Sequence, residues 1–355
     1  MKIGVLLLNL GTPISPTKAN VRRYLKEFLS DPRVLDIPWL LRKILLYTVI
    51  LPFRSRKSSK AYRKIWSHTG SPLLYHSINF KNALAASLGE NYHVALGMRY
   101  AEPNIQNATK ELAAAQCKKI IILPLFPQYS SAASGSAIQA ALNIFSDWQN
   151  IPELQVLPAF YFNPNYQKIL ANMLQEAKNA FAPEFILFSY HGLPERQLTK
   201  AGCHPQNCDR IAPCLQQQPN LNICYRAQCF ATTEAIAKQI QLPTNLFATT
   251  FQSRLGRIQW IRPYTDLQLK NLIEQGIKRL LIVCPSFVVD CLETLEEIGI
   301  RAKEQWLQLG GEALQIVSCL NDHPDWVRAA TKMITANSNL DPGLSSCDDF
   351  RDNIR

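Results

Sequence analysis

The sequence predicts two similar doubly wound α/β domains, each built on a four-stranded parallel sheet and facing its twin across a central cleft. Three observations carry this prediction. At 355 residues the chain has room for about two domains with cores of their own. Short apolar runs rich in branched and aromatic residues alternate with amphipathic segments, the pattern of parallel strands joined by helical crossovers. The chain also echoes itself. The run that ends in Leu10-Gly-Thr-Pro13 is matched by the run that ends in His191-Gly-Leu-Pro194, and Lys118-Lys-Ile-Ile-Ile-Leu-Pro124 is matched by Lys278-Arg-Leu-Leu-Ile-Val-Cys-Pro285. Two copies of one unit explain both echoes.

Taken in order, residues 3–9 read as a first strand, stopped by Gly11 and Pro13. Segments 92–98, 119–124 and 154–158 complete the first sheet. Segments 184–190, 244–249, 279–284 and 314–318 make the second. The boundary falls in the Pro-containing stretch between Leu157 and Pro164, which gives an N-terminal domain of 1–160 and a C-terminal domain of 161–335. Residues 336–355 are polar and predict a disordered tail. Residues 36–57 mix bulky apolar side chains (Trp39, Leu40, Ile44, Leu45, Tyr47) with basic ones (Arg42, Lys43, Arg54, Arg56, Lys57). Charge interrupts the run and Pro52 ends it, so it cannot span a bilayer. It reads either as a buried crossover helix or as an apolar lip over a cleft that also touches anionic lipid.

A formal net charge of +11 favours acidic partners, an anionic ligand or a membrane surface. Nucleic acid is excluded by the lack of basic blocks interleaved with stacking aromatics. The N-terminus is apolar but too short to span, and it has no small-residue cleavage site, so the expected location is the cytoplasm. Ten cysteines in such a chain point to thiols or metal ligands rather than a disulfide framework.

Candidate chemistry gathers at strand ends. His191 closes the apolar run 184–190 and is followed by Gly192 and Pro194, so it stands where open α/β sheets place their ligands. A histidine there can take a proton near neutral pH. Beyond the strand at 279–284, Asp290, Glu293 and Glu297 fall three and four apart, on one helical face, with Asp290 expected as the helix cap and Glu296 on an exposed acidic side. Such a ladder is a route for protons or a divalent cation. Arg99 and Tyr100 end the second strand, and Gln128, Tyr129 and Ser130 end the third. Ser134-Gly-Ser136 could open a helix whose N–H groups bind an anion. Residues 202–229 form a cysteine-rich insertion with Cys203, Cys208, Cys214, Cys224 and Cys229. Four of these thiolates would suit an iron–sulfur cluster or zinc, although no Cys-x-x-Cys pair is present.

Many short motifs, in this order, resemble one family. They are Leu8-Asn-Leu-Gly-Thr-Pro13, Tyr62 with Gly70-Ser-Pro72, Met98-Arg-Tyr100, Pro127-Gln-Tyr-Ser130, Ser189-Tyr-His-Gly-Leu-Pro194, Thr250-Phe-Gln-Ser-Arg254, and Phe287 through Glu297. Together they resemble the ferrochelatases, enzymes that insert ferrous iron into a porphyrin in the last step of haem synthesis. The resemblance implies two Rossmann-like, chelatase-type domains with protoporphyrin IX and Fe2+ as substrates. It implies that His191 accepts pyrrole protons opposite Glu293, that these two meet the substrate iron, and that Glu297 and Asp290 continue an acidic path. Leu10, Tyr62, Arg99, Tyr100, Gln128, Tyr129, Ser130 and Trp260 would line the porphyrin site, Arg54 would bind a propionate, and 36–57 would be the lip. Cys291 stands where some relatives carry a histidine. Several members bind a [2Fe-2S] cluster near the C-terminus. Here only Cys347 lies in the tail, and the internal segment resembles another placement, through Cys203, Cys208, Cys214 and one of Cys224 or Cys229. The alternatives are a chelatase for coproporphyrin or for cobalt, and a non-catalytic tetrapyrrole carrier. Peripheral contact with the inner membrane is the partner surface implied; the oligomeric state is left open.

Overall fold

In strand β1 (Ile3–Asn9), alternate side chains enter different cores: Val5 and Leu7 on one face, Leu6 and Leu8 on the other. Only a strand covered on both sides reads as an unbroken apolar run. The computed structural model describes residues 2–203, 224–256 and 258–338. After β1 come α1 (Lys18–Ser30), α2 (Trp39–Leu45), a π-helical turn (Leu46–Ile50), α3 (Leu51–Ile65) and α4 (Pro72–Leu88). Then follow β2 (Tyr92–Met98), α5 (Ile105–Ala114), β3 (Lys119–Pro124), α6 (Ser136–Ser146) and β4 (Glu153–Val156). The second half has α7 (Pro164–Phe181), β5 (Phe185–His191), α8 (Glu195–Lys200), α9 (Tyr225–Gln239), β6 (Phe247–Gln252), α10 (Thr265–Glu274) and β7 (Arg279–Val283). A π-helix (Leu292–Ala302), α11 (Lys303–Gln308), β8 (Ala313–Ile316) and α12 (Pro324–Ser338) complete it.

The two sheets have the same order, β2-β1-β3-β4 and β6-β5-β7-β8, and every strand pairing in both is parallel. Both internal echoes in the sequence are therefore echoes of structure. Seven of the eight strands lie within two residues of their predicted bounds. The exception is β6, expected at 244–249 and found at Phe247–Gln252, because Thr244–Leu246 after Pro243 form a tight 3-10 turn.

The helices that follow the last strand of each sheet cross to the other half. α7 packs on α9, and α12 packs on α4. Trp326 of α12 stacks on Phe80 of α4 at 5.6 Å and also meets Phe160 and Tyr166. As a result the inner faces of both sheets share one core, which takes in Leu7, Leu123, Phe188, Val283 and Trp326. Burying an aromatic of this size contributes about 2–3 kcal/mol, so the exchange fixes one sheet against the other. The last turn of α12 is also tied down: Tyr92 and Ser338 share a hydrogen bond of 2.7 Å, and the Gln155 amide donates to Asn337 at 2.8 Å. The helix takes in the first three residues of the predicted tail, 336–338, and the rest of it, with Cys347, lies outside the described residues.

Residues 39–65 form one nearly continuous helical rod. Leu46 and Leu51 anchor it to α1, while Trp39, Leu40, Leu41, Ile44, Tyr47, Val49 and Phe53 are exposed, Phe53 to 74%. Of the two readings for this segment, the buried crossover is excluded. No helix among the described residues is long and apolar enough to cross a membrane.

Candidate functional site

β5 delivers His191 to the carboxyl edge of the second sheet, and the backbone around it is held closely. Ser286 Oγ accepts from the His191 amide at 3.1 Å, and the Tyr225 hydroxyl donates to the His191 carbonyl at 2.9 Å. The ring Nδ1 lies 2.6 Å from the Gly192 carbonyl. A carbonyl only accepts, so Nδ1 carries the proton and the lone pair is left on Nε2. Gly192 has to be glycine: a Cβ there would stand 2.7 Å from the Gln252 carbonyl oxygen and 3.2 Å from Trp260. Trp260, buried, thus backs directly onto the histidine turn.

The carboxylates come from the π-helix that follows β7. Its cap is Cys291, not Asp290 as the sequence suggests. Asp290 lies one residue outside the helix, buried, and its carboxylate accepts from Thr294 Oγ1 at 3.0 Å, the Asn321 amide at 2.8 Å and the Cys319 N–H at 3.4 Å. Glu296 also departs from expectation. It is buried rather than exposed, and it pairs with Lys64 at 3.6 Å and Arg301 at 2.7 Å. Glu293 and Glu297 remain, four residues apart on a helix with more residues per turn than an α-helix. Both are half-buried. Burial pushes the Glu297 carboxyl above the ordinary range; hydrogen bonds from Ser253 oppose that, the charge of Glu293 adds to it, and the charges of Arg301 and His191 oppose it. Glu297 therefore senses both Glu293 and His191.

The first half supplies the opposite wall. Burial and then the charge of Glu293 raise the Tyr62 phenol well above its ordinary value, and burial, Tyr62 and Glu293 do the same to Tyr24. Burial lowers the Arg54 guanidinium while Glu293 opposes it, and Arg54 forms no ion pair among the described residues. Leu10 packs in the same apolar cluster as Tyr24, Tyr62 and Leu292. Leu10, Arg54, Tyr62, Glu293, Glu297, His191 and Trp260 thus fall in one neighbourhood of the fold.

Other candidates do not. Tyr100 is wholly buried, and its hydroxyl donates to Asp31 at 2.9 Å. Arg99 donates to Asp31 and Ser136, each at 2.7 Å, and Ser136 donates to Asp31 at 2.5 Å. Burial works against the Asp31 carboxylate, but the Ser136, Arg33-amide and Tyr100 hydrogen bonds and the Arg99 charge hold its pKa below the ordinary value. The helix start at Ser134-Gly-Ser136 already meets an anion through Ser136, and it belongs to the protein itself. Ser130 caps a π-turn, its Oγ accepting from the Ala133 amide at 3.1 Å. Gln128 is buried against Thr232. Tyr129 faces a separate apolar cavity of about 270 Å³ at the ends of β3 and β4, lined also by Phe126, Ile138, Leu157, Phe162 and Gln228, which touches none of the seven residues above.

Of the cysteines, Cys203 and Cys224 are buried with sulfurs 3.5 Å apart. Cys229 lies inside α9, and Cys208 and Cys214 lie outside the described residues. Among the described residues no group of three or more His, Cys, Asp and Glu is arranged to hold a metal. Residues that sequence reasoning left without a role include Asp31, Gln252 and Ser253. The last two sit in a quoted motif; nothing local marked Asp31.

Comparison with known proteins gives a consistent picture. A model of the ferrochelatase family matches residues 2–338. A ferrochelatase of Coxiella burnetii (strain Dugway 5J108-111) is 50% identical over 334 residues, 94% of this chain and 93% of that protein. A ferrochelatase of Legionella pneumophila (strain Paris) is 50% identical over 338 residues, 94% of this chain and 99% of that one. Among solved structures, SirB from Bacillus subtilis with Fe3+ is similar in fold, with a TM-score of 0.53 at 11% identity, covering 96% of each chain.

Proposed function

The chain belongs to the ferrochelatase family, an enzyme that inserts ferrous iron into a porphyrin to make haem, and from that premise we propose how its own residues do so. A flat macrocycle holding two N–H protons cannot take a cation until the ring is bent and the protons removed. That calls for an apolar slot, a neutral base and a separate polar route for the metal. Leu10, Tyr62 and Trp260 form the slot, and the Nε2 lone pair of His191 takes the pyrrole protons. Glu293 meets the incoming iron opposite His191, and Glu297 leads away from it. The single observation behind this reading is that the adjacent Gln252 and Ser253 hydrogen-bond the His191–Gly192 turn, the Glu293 carbonyl and the Glu297 carboxylate, which supports base and carboxylates serving one site. Asp290, placed by the sequence reading on the same path, accepts three hydrogen bonds, which supports a rigidly held end of that path.

Arg54, a half-buried cation without an ion-pair partner among the described residues, binds a propionate at the rim. The neutral imidazole is required, so insertion fails as His191 becomes protonated. The test is anaerobic ferrous iron with each porphyrin in turn, followed by loss of free-base fluorescence. His191→Ala should keep porphyrin binding and lose most insertion; turnover retained in that variant would refute the assignment.

Two further parts belong to this reading. The exposed apolar rod at 39–53, with Arg42 and Lys43 beside it, supports peripheral contact with an anionic membrane surface. Two thiolates on one tetrahedral metal with bonds of about 2.3 Å stand roughly 3.7 Å apart, which the sulfurs of Cys203 and Cys224 fit. They would hold a [2Fe-2S] cluster together with Cys208 and Cys214, in preference to Cys229. The cluster would cross-link the insertion, and none of the steps above needs it. Iron and sulfide analysis with a visible spectrum checks this, and a colourless, fully active protein would end it.

A further inference from the structure

His191 and the two glutamates come from different strands, and something must set the interval between them. In the sheet order β6-β5-β7, strand β6 lies on the far side of β5 from the π-helix. Its last residue nevertheless reaches across. The Gln252 carbonyl accepts from the Gly192 amide at 2.8 Å, its side-chain oxygen accepts from Ser189 Oγ at 2.8 Å, and its amide nitrogen donates to the Glu293 carbonyl at 2.8 Å. Gln252 is buried, so all three bonds are shielded from water.

The next residue continues the bridge to the second glutamate. The Ser253 amide donates to one Glu297 oxygen at 2.8 Å, and Ser253 Oγ donates to the other at 2.6 Å. Ser253 has φ of +68°, a left-handed conformation that a residue with a Cβ adopts at a cost in free energy. That conformation brings amide and hydroxyl to the same carboxylate. A strained residue whose two donors both end on one half-buried glutamate is held there by the surrounding structure.

We propose that Ser253 is a positioning residue for metal insertion: it grips both oxygens of Glu297 and, with Gln252, holds that carboxylate in register with His191. This rests on the reading that Glu297 lies on the proton or metal path. The groups facing Glu297 are Glu293 and Arg301 from its own helix and His191 from β5. None of them replaces the Ser253 bonds, since Arg301 stands 3.9 Å away.

The test is a double-mutant cycle in the full chain, with anaerobic ferrous insertion read as kcat and as KM for each substrate. Ser253→Ala should lower kcat about tenfold, the size of one charge-assisted hydrogen bond, and leave the porphyrin KM within about twofold. Ser253→Thr should restore most of the loss. Ser253→Gly, which relieves the backbone and keeps the amide, should remain impaired although it folds. In a Glu297→Gln background, Ser253→Ala should cost little more. A full tenfold loss in that background overturns the proposal, as does a Ser253→Ala variant with wild-type kcat. If Glu297→Gln itself turns over like wild type, the reading of Glu297 falls, and the positioning role falls with it.

Discussion

The two halves of the molecule are the same machine with the chemistry fitted to one of them. Strand register makes Asn9 beside Met98 the counterpart of Tyr190 beside Phe251. Where β1 turns out through Leu10-Gly11, β5 turns out through His191-Gly192. Both β3 and β7 lead into π-helices. Counted from their caps, Ser130 and Cys291, Ala132 and Ser136 stand where Glu293 and Glu297 stand. Both second strands close onto a proline, Met98 N–H to the Pro103 carbonyl at 2.7 Å and Phe251 N–H to the Pro263 carbonyl at 2.8 Å. The first of these loops holds only residues 99–102, whereas the second, 252–262, has room for Ser253 and Trp260. In the first half the corresponding space is filled by Asp31, with Arg99, Tyr100 and Ser136 closed around it. In the second, Glu293 and Glu297 stand half-buried, with Ser253 bonded to Glu297. A structural hub and, as proposed, an active site are two uses of one position, and the hub has its hydrogen bonds satisfied within the protein.

Exchanging the marker residues tests that contrast most directly. His191→Leu gives the second half the residue of the first, and it should lower kcat by about 100-fold or more while porphyrin binding persists. Adding Leu10→His should restore nothing, because position 10 lies in the apolar wall and lacks the Ser286 and Tyr225 hydrogen bonds that hold the His191 turn. Single-turnover fluorescence distinguishes the two outcomes, and recovery in the double variant would break the asymmetry.

The glycines at the two turns give the next largest effect, with the ranking reversed. A Cβ on Gly11, at φ +106°, would stand 1.8 Å from the Tyr100 carbonyl oxygen, while on Gly192 it would stand 2.7 Å from that of Gln252. Gly11→Ala should cost about 3 kcal/mol or more in urea unfolding, and Gly192→Ala about 1–2 kcal/mol. Only the second should lower kcat out of proportion to its stability, because only its turn carries the base. Asp31→Asn then probes the closed hub. It should cost about 2 kcal/mol and leave the pH profile of insertion unchanged.

These residues also mark how far the sequence could be read. The strands were legible because a doubly covered strand must be apolar throughout, and the repeat because the glycine and proline punctuation survives in both halves. His191 and Glu293 were singled out by their place after such strands, and their roles are proposals. Asp31 was not, because its side-chain partners lie 68 to 105 positions away in the chain and no local pattern announces a buried hub. Arg99 and Tyr100 were assigned to the pocket on a motif that the hub equally requires. Glu296 looked like surface because its partner Lys64 arrives from α3, far away in the chain. The cap was misplaced by one residue because an aspartate is the better cap on propensity, and only Asn321, Thr294 and Cys319 reveal that Asp290 is engaged elsewhere.

The smallest effect separates the two carboxylates by sign. Asp31 is held below its ordinary value, so it stabilises the fold at neutral pH and that contribution is lost as the pH falls through its folded pKa. Glu297 is held above its ordinary value of 4.5, chiefly by burial. Its contribution is complete below that value, where it is neutral in both states, and is lost as the pH rises through the folded pKa. Glu297→Gln should therefore match wild type in Tm near pH 4 and exceed it at pH 8, by less than Asp31→Asn lowers it. The Asp31→Asn deficit should run the other way, widest at pH 8 and shrinking toward acid. Two melting curves per variant decide the matter: a Glu297→Gln gain that is flat with pH would mean that the open carboxylate carries no burial penalty, and that the two halves differ in residues but not in electrostatic state.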